Sequence, residues 1–283
     1  MKIIDPHLHL FAIEQGEYSW LKPTNAPYWP DKKIINRNFT VLDLALQPPL
    51  EHGGFIHVEA GFDNNAPWRE VQWLEASVNS PFKTIANIDL TLASDDFLVL
   101  IKRLMQHDSV IGFRHILDED ATELLRNQQV QQNLQTIADY QAIFECQLLG
   151  SDTPAIIQLK GILSVIPTLK IVINHAAFPN SMHIDYHQWQ SNIAALANHD
   201  NVYIKASGWE MINRQYSQQH IQQIVDFLLL HFSVEKVMLA SNFPLCLFSC
   251  PYTQLWETYN RLDLTKQQKQ CLMHDNAKRI YQL

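Results

Sequence analysis

Short apolar runs rich in β-branched residues recur along the chain, and longer segments with apolar positions at helical spacing lie between them. Eight runs read as strands: 2–5, 54–60, 83–89, 110–116, 142–148, 170–176, 201–207 and 236–242. Most are apolar on both faces, as a parallel sheet covered by helices requires. Helical patterning marks 95–107, 123–141, 154–167, 218–232 and 265–281. In 95–107 acids open the segment, and Leu98, Ile101 and Leu104 or Met105 fall on one face. In 123–141 Leu124, Val130, Leu134 and Ile137 form the apolar stripe, while the other faces are rich in glutamine. Pro154 stands at a first helical position and Pro167 at a stop. Eight strands alternating with helices predict an α/β fold, a single-domain (β/α)8 TIM barrel over 1–283; a doubly wound open sheet is the alternative.

One segment breaks the alternation. Residues 11–39, after the first strand, carry Tyr18, Trp20, Tyr28 and Trp29 but no helix or strand pattern. Loops beyond about 15 residues are usually functional or disordered. This one follows a strand, so it belongs over the C-terminal face, where barrel enzymes place their chemistry. It is expected either to wall a pocket there or to plug the barrel's edge.

Composition narrows the class of partner. The chain has 283 residues, 47% hydrophobic and 18% charged, with a formal charge of −8. That balance argues against nucleic acid or an anionic membrane as partner, and leaves room for a small anionic substrate met by a few local cations. Asp5, His7 and His9 interrupt the N-terminal apolar run, and no run approaches the roughly 18 apolar residues of a membrane span. The four cysteines contain no CxxC pair; Cys246 and Cys250 are the pair a turn could join, and free thiols of a cytoplasmic protein are the expectation.

The chemistry gathers at the strand ends. In "IIDPHLHLF" (3–11) an extended strand would put Asp5, His7 and His9 on one face, and two imidazoles so spaced suit zinc, manganese, iron or nickel. Later strands end in His57 and Glu59, Arg114 and His115, Glu145 and Gln147, His175, Lys205, and Asn242. Such groups are costly to bury without partners, so their concentration at one end of a barrel marks a site. Arg114 and Lys205 are candidate clamps for a substrate carboxylate, with ion pairs to nearby acids as the plainer role: Asp118 or Glu119 for Arg114; Asp5, Glu59 or Glu145 for Lys205. Trp20 and Trp209 could stack on substrate or simply pack.

The chain resembles the amidohydrolase superfamily, and within it the amidohydrolase-2 branch of lactonases, TIM-barrel hydrolases and related decarboxylases. The stretches that carry the resemblance are "IIDPHLHLF", "YSWL" (18–21), "GFRHIL" (112–117), "VINHAAFP" (172–179), "VYIKASG" (202–208), "ASNFP" (240–244) and "NAKRIY" (276–281), in order over essentially the whole chain. The resemblance implies that His7, His9 and His175 hold one divalent ion, or polarise a lactone carbonyl without one. It also exposes a departure. The family commonly has "GSDWP", with an aspartate that activates water, where this chain has Asn242. An amide cannot accept a proton at neutral pH, so Asn242 can orient water or substrate but cannot be the base. His175, His9 or Glu145 would then have to take the proton.

The expected function is hydrolysis of a small anionic or sugar-derived lactone. His7, His9, His175 and Asn242 form the catalytic set; Arg114, Lys205, Glu145, Glu59 and Trp20 contact substrate. The cofactor is one zinc or manganese ion at His7, His9 and His175, or none. Two rivals stand beside this: a metal-dependent decarboxylase, and a non-catalytic small-molecule-binding barrel, which the loss of aspartate at Asn242 would explain. Self-association is left open.

Overall fold

Eight parallel strands form one sheet in strict sequence order in a computed structural model that describes residues 1–283. The strands are β1 (Lys2–Leu8), β2 (Glu51–Val58), β3 (Phe82–Asn87), β4 (Val110–Asp118), β5 (Ile143–Leu148), β6 (Lys170–Ile173), β7 (Val202–Ala206) and β8 (Val237–Leu239). The sheet curls until its edges meet. Leu8 bridges Phe243 in parallel, the His9 N–H donates to the Phe243 carbonyl at 2.7 Å, and the Asn242 N–H donates to the His7 carbonyl at 2.9 Å. The result is the (β/α)8 barrel that the alternation predicts.

The helices between strands are α1 (Trp68–Ser77), α2 (Ser94–Leu104), α3 (Ala121–Arg126), α4 (Gln128–Asp139), α5 (Thr153–Val165), α6 (Tyr186–Leu196), α7 (Trp209–Ile212), α8 (Gln218–His231) and α9 (Tyr252–Asn260). The chain ends in α10 (Lys266–Gln270) and α11 (Asn276–Tyr281), joined by a π turn over Cys271–Asp275. The segment expected as one helix over 123–141 is two. Asn127 adopts extended backbone (φ −68°, ψ 123°) and its side chain accepts from the Gln129 N–H, so it caps α4 and interrupts the run. Two strands end three residues before their expected ends. β6 stops at Ile173 and β8 at Leu239, because the backbone beyond each turns to positive φ at His175 and Asn242.

Two apolar clusters hold the layers. The larger fills the space between sheet and helices; the smaller is the barrel interior, where Ile4, Ile56, Val58, Ile85, Ile143, Val172 and Met238 meet Ala277, Ile280 and Tyr281 of α11. Above that plug lies a buried polar layer. Lys205 and Glu145, both fully buried, pair at 2.6 Å. Tyr281 and Asn174 add hydrogen bonds to the same carboxylate. Burial lowers the Lys205 pKa to about 8 against the pull of Glu145.

The 11–39 excursion is built rather than loose. An isolated bridge joins Phe11 to Phe39, closing its base. The Lys32 ammonium, itself buried, donates to the carbonyls of Trp20 (2.7 Å), Asn25 (2.8 Å) and Lys22 (3.2 Å). Arg214 pins it from the barrel side through Asp31 at 2.9 Å. All four cysteines are free thiols, and no helix is long and apolar enough to cross a membrane.

Removing one partner of a buried ion pair leaves an uncompensated charge, at about 3–5 kcal/mol. Lys205→Met is therefore expected to lower the thermal midpoint sharply, and Lys205→Met/Glu145→Gln to recover part of the loss. Equal midpoints for Lys205→Met and the wild type would contradict this.

Candidate active site

A cavity of about 1020 Å³ opens at the C-terminal ends of the strands. His9, His175 and Asn242 line it, and Trp20, Ala26, Pro27 and Trp29 of the 11–39 excursion form one wall. The excursion is thus both packing and wall. Trp20 is fixed there by its indole N–H, which donates to the Ala60 carbonyl at 2.8 Å.

His7 lies fully buried beside this lining, its ring centroid 5.1 Å from His9 and 4.5 Å from His175. Asp5 does not share its face. The β1–β2 register shifts between Asp5 and Leu8, so the strict alternation of a flat strand is lost. The Asp5 carboxylate instead accepts from the Ser241 hydroxyl and N–H (2.5 and 3.1 Å), across the barrel seam. Burial raises its pKa to about 6.

His175 is presented by unusual backbone. Residues His175, Ala176, Ala177 and Phe178 all have positive φ, at 52°, 50°, 55° and 56°. Carbonyls along this left-handed turn are held from outside: Ala176 accepts from the Trp189 indole at 2.8 Å and Ala177 from the Gly150 N–H at 2.9 Å. The His175 Nδ1 sits 3.0 Å from the Ser207 hydroxyl. Gly208 makes this approach possible. It has φ +69°, and a Cβ there would fall 2.6 Å from the His175 Nδ1.

The imidazoles are neutral. Burial, with Arg114 and other nearby charge, lowers His9 to about 3 and holds His7 and His175 well below the usual histidine range. Hydrogen bonds then fix two tautomers. The His9 Nδ1–H donates to the Val58 carbonyl at 2.7 Å, which leaves Nε2 as a lone pair. The Lys205 ammonium, 3.4 Å from the His7 Nδ1, donates to it, which puts the His7 proton on Nε2; that Nε2 is buried without a partner. His57, also at a strand end, is engaged elsewhere: its Nε2 lies 2.9 Å from Glu70.

Several residues expected to contact substrate are held by protein. Lys205 and Glu145 lie beneath the cavity as the ion pair described above, so neither is a clamp or an accessible base. The Arg114 guanidinium meets Glu59, not Asp118 or Glu119: Nε and Nη2 reach the Glu59 Oε1 at 2.7 and 2.6 Å, and Nη1 donates to Gln147 at 3.1 Å. Burial would raise Glu59, but Arg114 outweighs it and holds the carboxyl below its usual value. Trp209 is buried with its indole on the Tyr259 hydroxyl at 2.7 Å, away from the cavity. Two residues that spacing along the sequence did not reveal complete the surroundings: Ser207 beside His175, and Glu210, whose Oε1 accepts from the Asn242 side-chain N–H at 2.6 Å.

A family model described as amidohydrolase, of the amidohydrolase-2 type, matches residues 4–283. The chain belongs to the amidohydrolase family. An uncharacterized relative, y4mH of Sinorhizobium fredii, is 24% identical over 99% of this chain and 98% of its own length. Among solved structures, an amidohydrolase from Burkholderia multivorans with bound zinc superposes with a TM-score of 0.81 at 19% identity, covering 100% of both chains. A probable 2-pyrone-4,6-dicarboxylic acid hydrolase from Acinetobacter baumannii, with citric acid bound, gives 0.73 at 17% over 100% of both. A dihydroxybenzoic acid decarboxylase from Polaromonas, with manganese, gives 0.63 at 14% over 100% of this chain and 96% of its own. Likenesses at these identities establish the shared barrel.

Tested against a divalent ion, the donor types fit and the arrangement does not. Neutral imidazoles with hydrogen-bonded outer nitrogens are suitable ligands. Yet no three histidine, cysteine or acidic donors converge on one point, and the tautomer that Lys205 favours at His7 puts the ring proton on Nε2, where a ligand needs a lone pair. Protein purified without chelator is therefore expected to hold well under one equivalent of zinc or manganese; near-stoichiometric metal by elemental analysis would overturn the tautomer assigned to His7. Gly208→Ala should cost about 1–2 kcal/mol from left-handed backbone alone. Because His175 must also move, activity should fall further than the thermal midpoint suggests; a variant with wild-type turnover would refute the contact.

Proposed function

We propose that this amidohydrolase hydrolyses a neutral, sugar-derived lactone. The observation that carries this reading is the unpartnered Nε2 of His7, buried beside His9 and His175 under the cavity, which bears the ring proton when Lys205 donates to Nδ1. A buried donor without an acceptor is costly, by about 1–3 kcal/mol, and a substrate carbonyl oxygen is the acceptor it lacks. Hydrogen bonds from His7 and from His175, if Ser207 donates to its Nδ1, would stabilise the oxyanion as water attacks. The His9 Nε2 is the lone pair fixed in position, and it takes the water proton. Burial and Arg114 hold it near 3 in the free protein, so it becomes an effective base only as negative charge develops on the substrate.

The charge of the cavity favours a neutral substrate over an anionic one. Its lining includes four carboxylates, Glu59, Asp89, Asp118 and Glu119, and a single Arg or Lys side chain, Arg114. That guanidinium is already engaged by Glu59 and Gln147. Carboxylates and the amides of Asn64, Asn65 and Asn87 accept and donate to hydroxyl groups, and Trp20 and Trp29 offer flat faces to a sugar ring. The same shortage of free cations weighs against decarboxylation, which needs a bound carboxylate.

A panel of aldonolactones against lactones bearing carboxylates tests the reading. Neutral sugar lactones are expected to exceed anionic ones in kcat/KM by at least about tenfold, the worth of one lost hydrogen bond or unpaired charge. His9→Ala and His175→Ala should each lower kcat on the order of 10²–10⁴-fold. Intact turnover in either variant would remove the mechanism, and Asn242→Asp creating activity where the wild type has none would instead support a binding barrel.

A further inference from the structure

The Asn242 side chain faces two ways: it lines the cavity, and its N–H is bonded to Glu210 in the wall behind. Glu210 is fully buried at the start of α7 and does not line the cavity. Its carboxylate has no cation: Arg214, one turn on, donates to the Glu210 backbone carbonyl and directs the rest of its guanidinium to Asp31. The Asn242 amide is its one side-chain partner, and Oε2 is buried with none. A carboxyl left in this state is an expensive way to hold an asparagine, since a glutamine would fill the same space without a charge to bury.

We propose that Glu210 is the positioning residue for the hydrolytic water: by accepting the Asn242 N–H it turns the Asn242 carbonyl oxygen, rather than the NH2, toward the cavity. This rests on the lactonase reading given above. An ionised carboxylate is acceptor-only, so it admits one amide orientation. The Asn242 Oδ1 then accepts a hydrogen from water and aims the water's lone pair at the substrate, while His9 takes the second proton. Protonated, Glu210 becomes donor as well as acceptor, and the flipped amide, with its NH2 in the cavity, becomes equally good. That form cannot orient water as an acceptor.

The surroundings permit such a change near neutrality. Burial raises Glu210 to about 7, against the Asn242 hydrogen bond and Arg214. The other titratable groups facing it, Tyr216, Tyr259, Cys246 and Cys250, are all pushed upward by burial and so stay neutral there. Because the pKa is raised, the productive ionised form gains as pH rises through 7. Activity should rise with it.

The test uses the full chain and three variants: Glu210→Gln, Asn242→Asp and the pair together. In the wild type the Asn242 side-chain NH2 resonance, identified by its loss in Asn242→Asp, is expected to titrate with a midpoint near 7, and to stop titrating in Glu210→Gln. On a turned-over lactone, Glu210→Gln should lower kcat at pH 8 on the order of tenfold with KM nearly unchanged, and flatten the rise toward alkaline pH. Glu210→Gln/Asn242→Asp, with amide and carboxyl exchanged, should exceed both Glu210→Gln and Asn242→Asp, whose two facing carboxyls lack the amide between them. A merely structural Glu210 would give no such rescue. An amide that does not titrate, or a Glu210→Gln profile matching the wild type, would overturn the proposal. If no lactone is turned over, the function reading fails, and the amide titration still decides the role of Glu210.

Discussion

The seam where the first strand meets the last governs this molecule. β8 has only three residues, so the sheet cannot close by regular pairing along its length. Closure happens above it, in irregular backbone, through His7 carbonyl to Asn242 N–H and His9 N–H to Phe243 carbonyl. The same bonds set His7 and His9 beside Asn242. Asp5 locks the seam through Ser241, and positive φ at Asn242 turns the chain so that its side chain reaches the cavity. Closing the barrel and assembling the site are one event, and a change that loosens either loosens both.

Burial then decides the chemistry. Imidazoles far from water lose their charged form, so the three histidines are neutral hydrogen-bonding groups rather than cations. The two buried cations at the strand ends are paired. Lys205 takes Glu145 and Arg114 takes Glu59, which leaves the cavity with unpaired carboxylates and no free cation. The preference for a neutral substrate follows from that pairing. The net charge of the whole chain does not enter it.

The 11–39 excursion shows how a long segment without regular structure can still be well positioned. Its buried Lys32 gathers three carbonyls that no helix or strand would satisfy. Arg214 joins it to the barrel between the rings of Trp29 and Phe248, and the same guanidinium touches the backbone of Glu210. The wall of the cavity and the residue behind Asn242 are therefore held by one side chain.

The sequence alone determined the barrel, the end of it that carries chemistry, and the histidines there. Apolar runs of strand length alternating with helical stripes admit few other folds, and polar groups at strand ends stand out against them. It also showed that Asn242 cannot be a base, which is a property of the amide itself. What it could not carry is who meets whom. Spacing two residues apart put Asp5 with His7 and His9, but a register shift of β1 against β2 separates them. Lys205 and Glu145 are 60 positions apart and Arg114 and Glu59 are 55, so only the closed barrel makes them partners and withdraws them from the substrate. Glu210, on a four-residue helix, had no periodicity to mark it. Local pattern reports which face of an element is apolar; the pairing of buried charges depends on which strands become neighbours, and that is decided when the sheet closes.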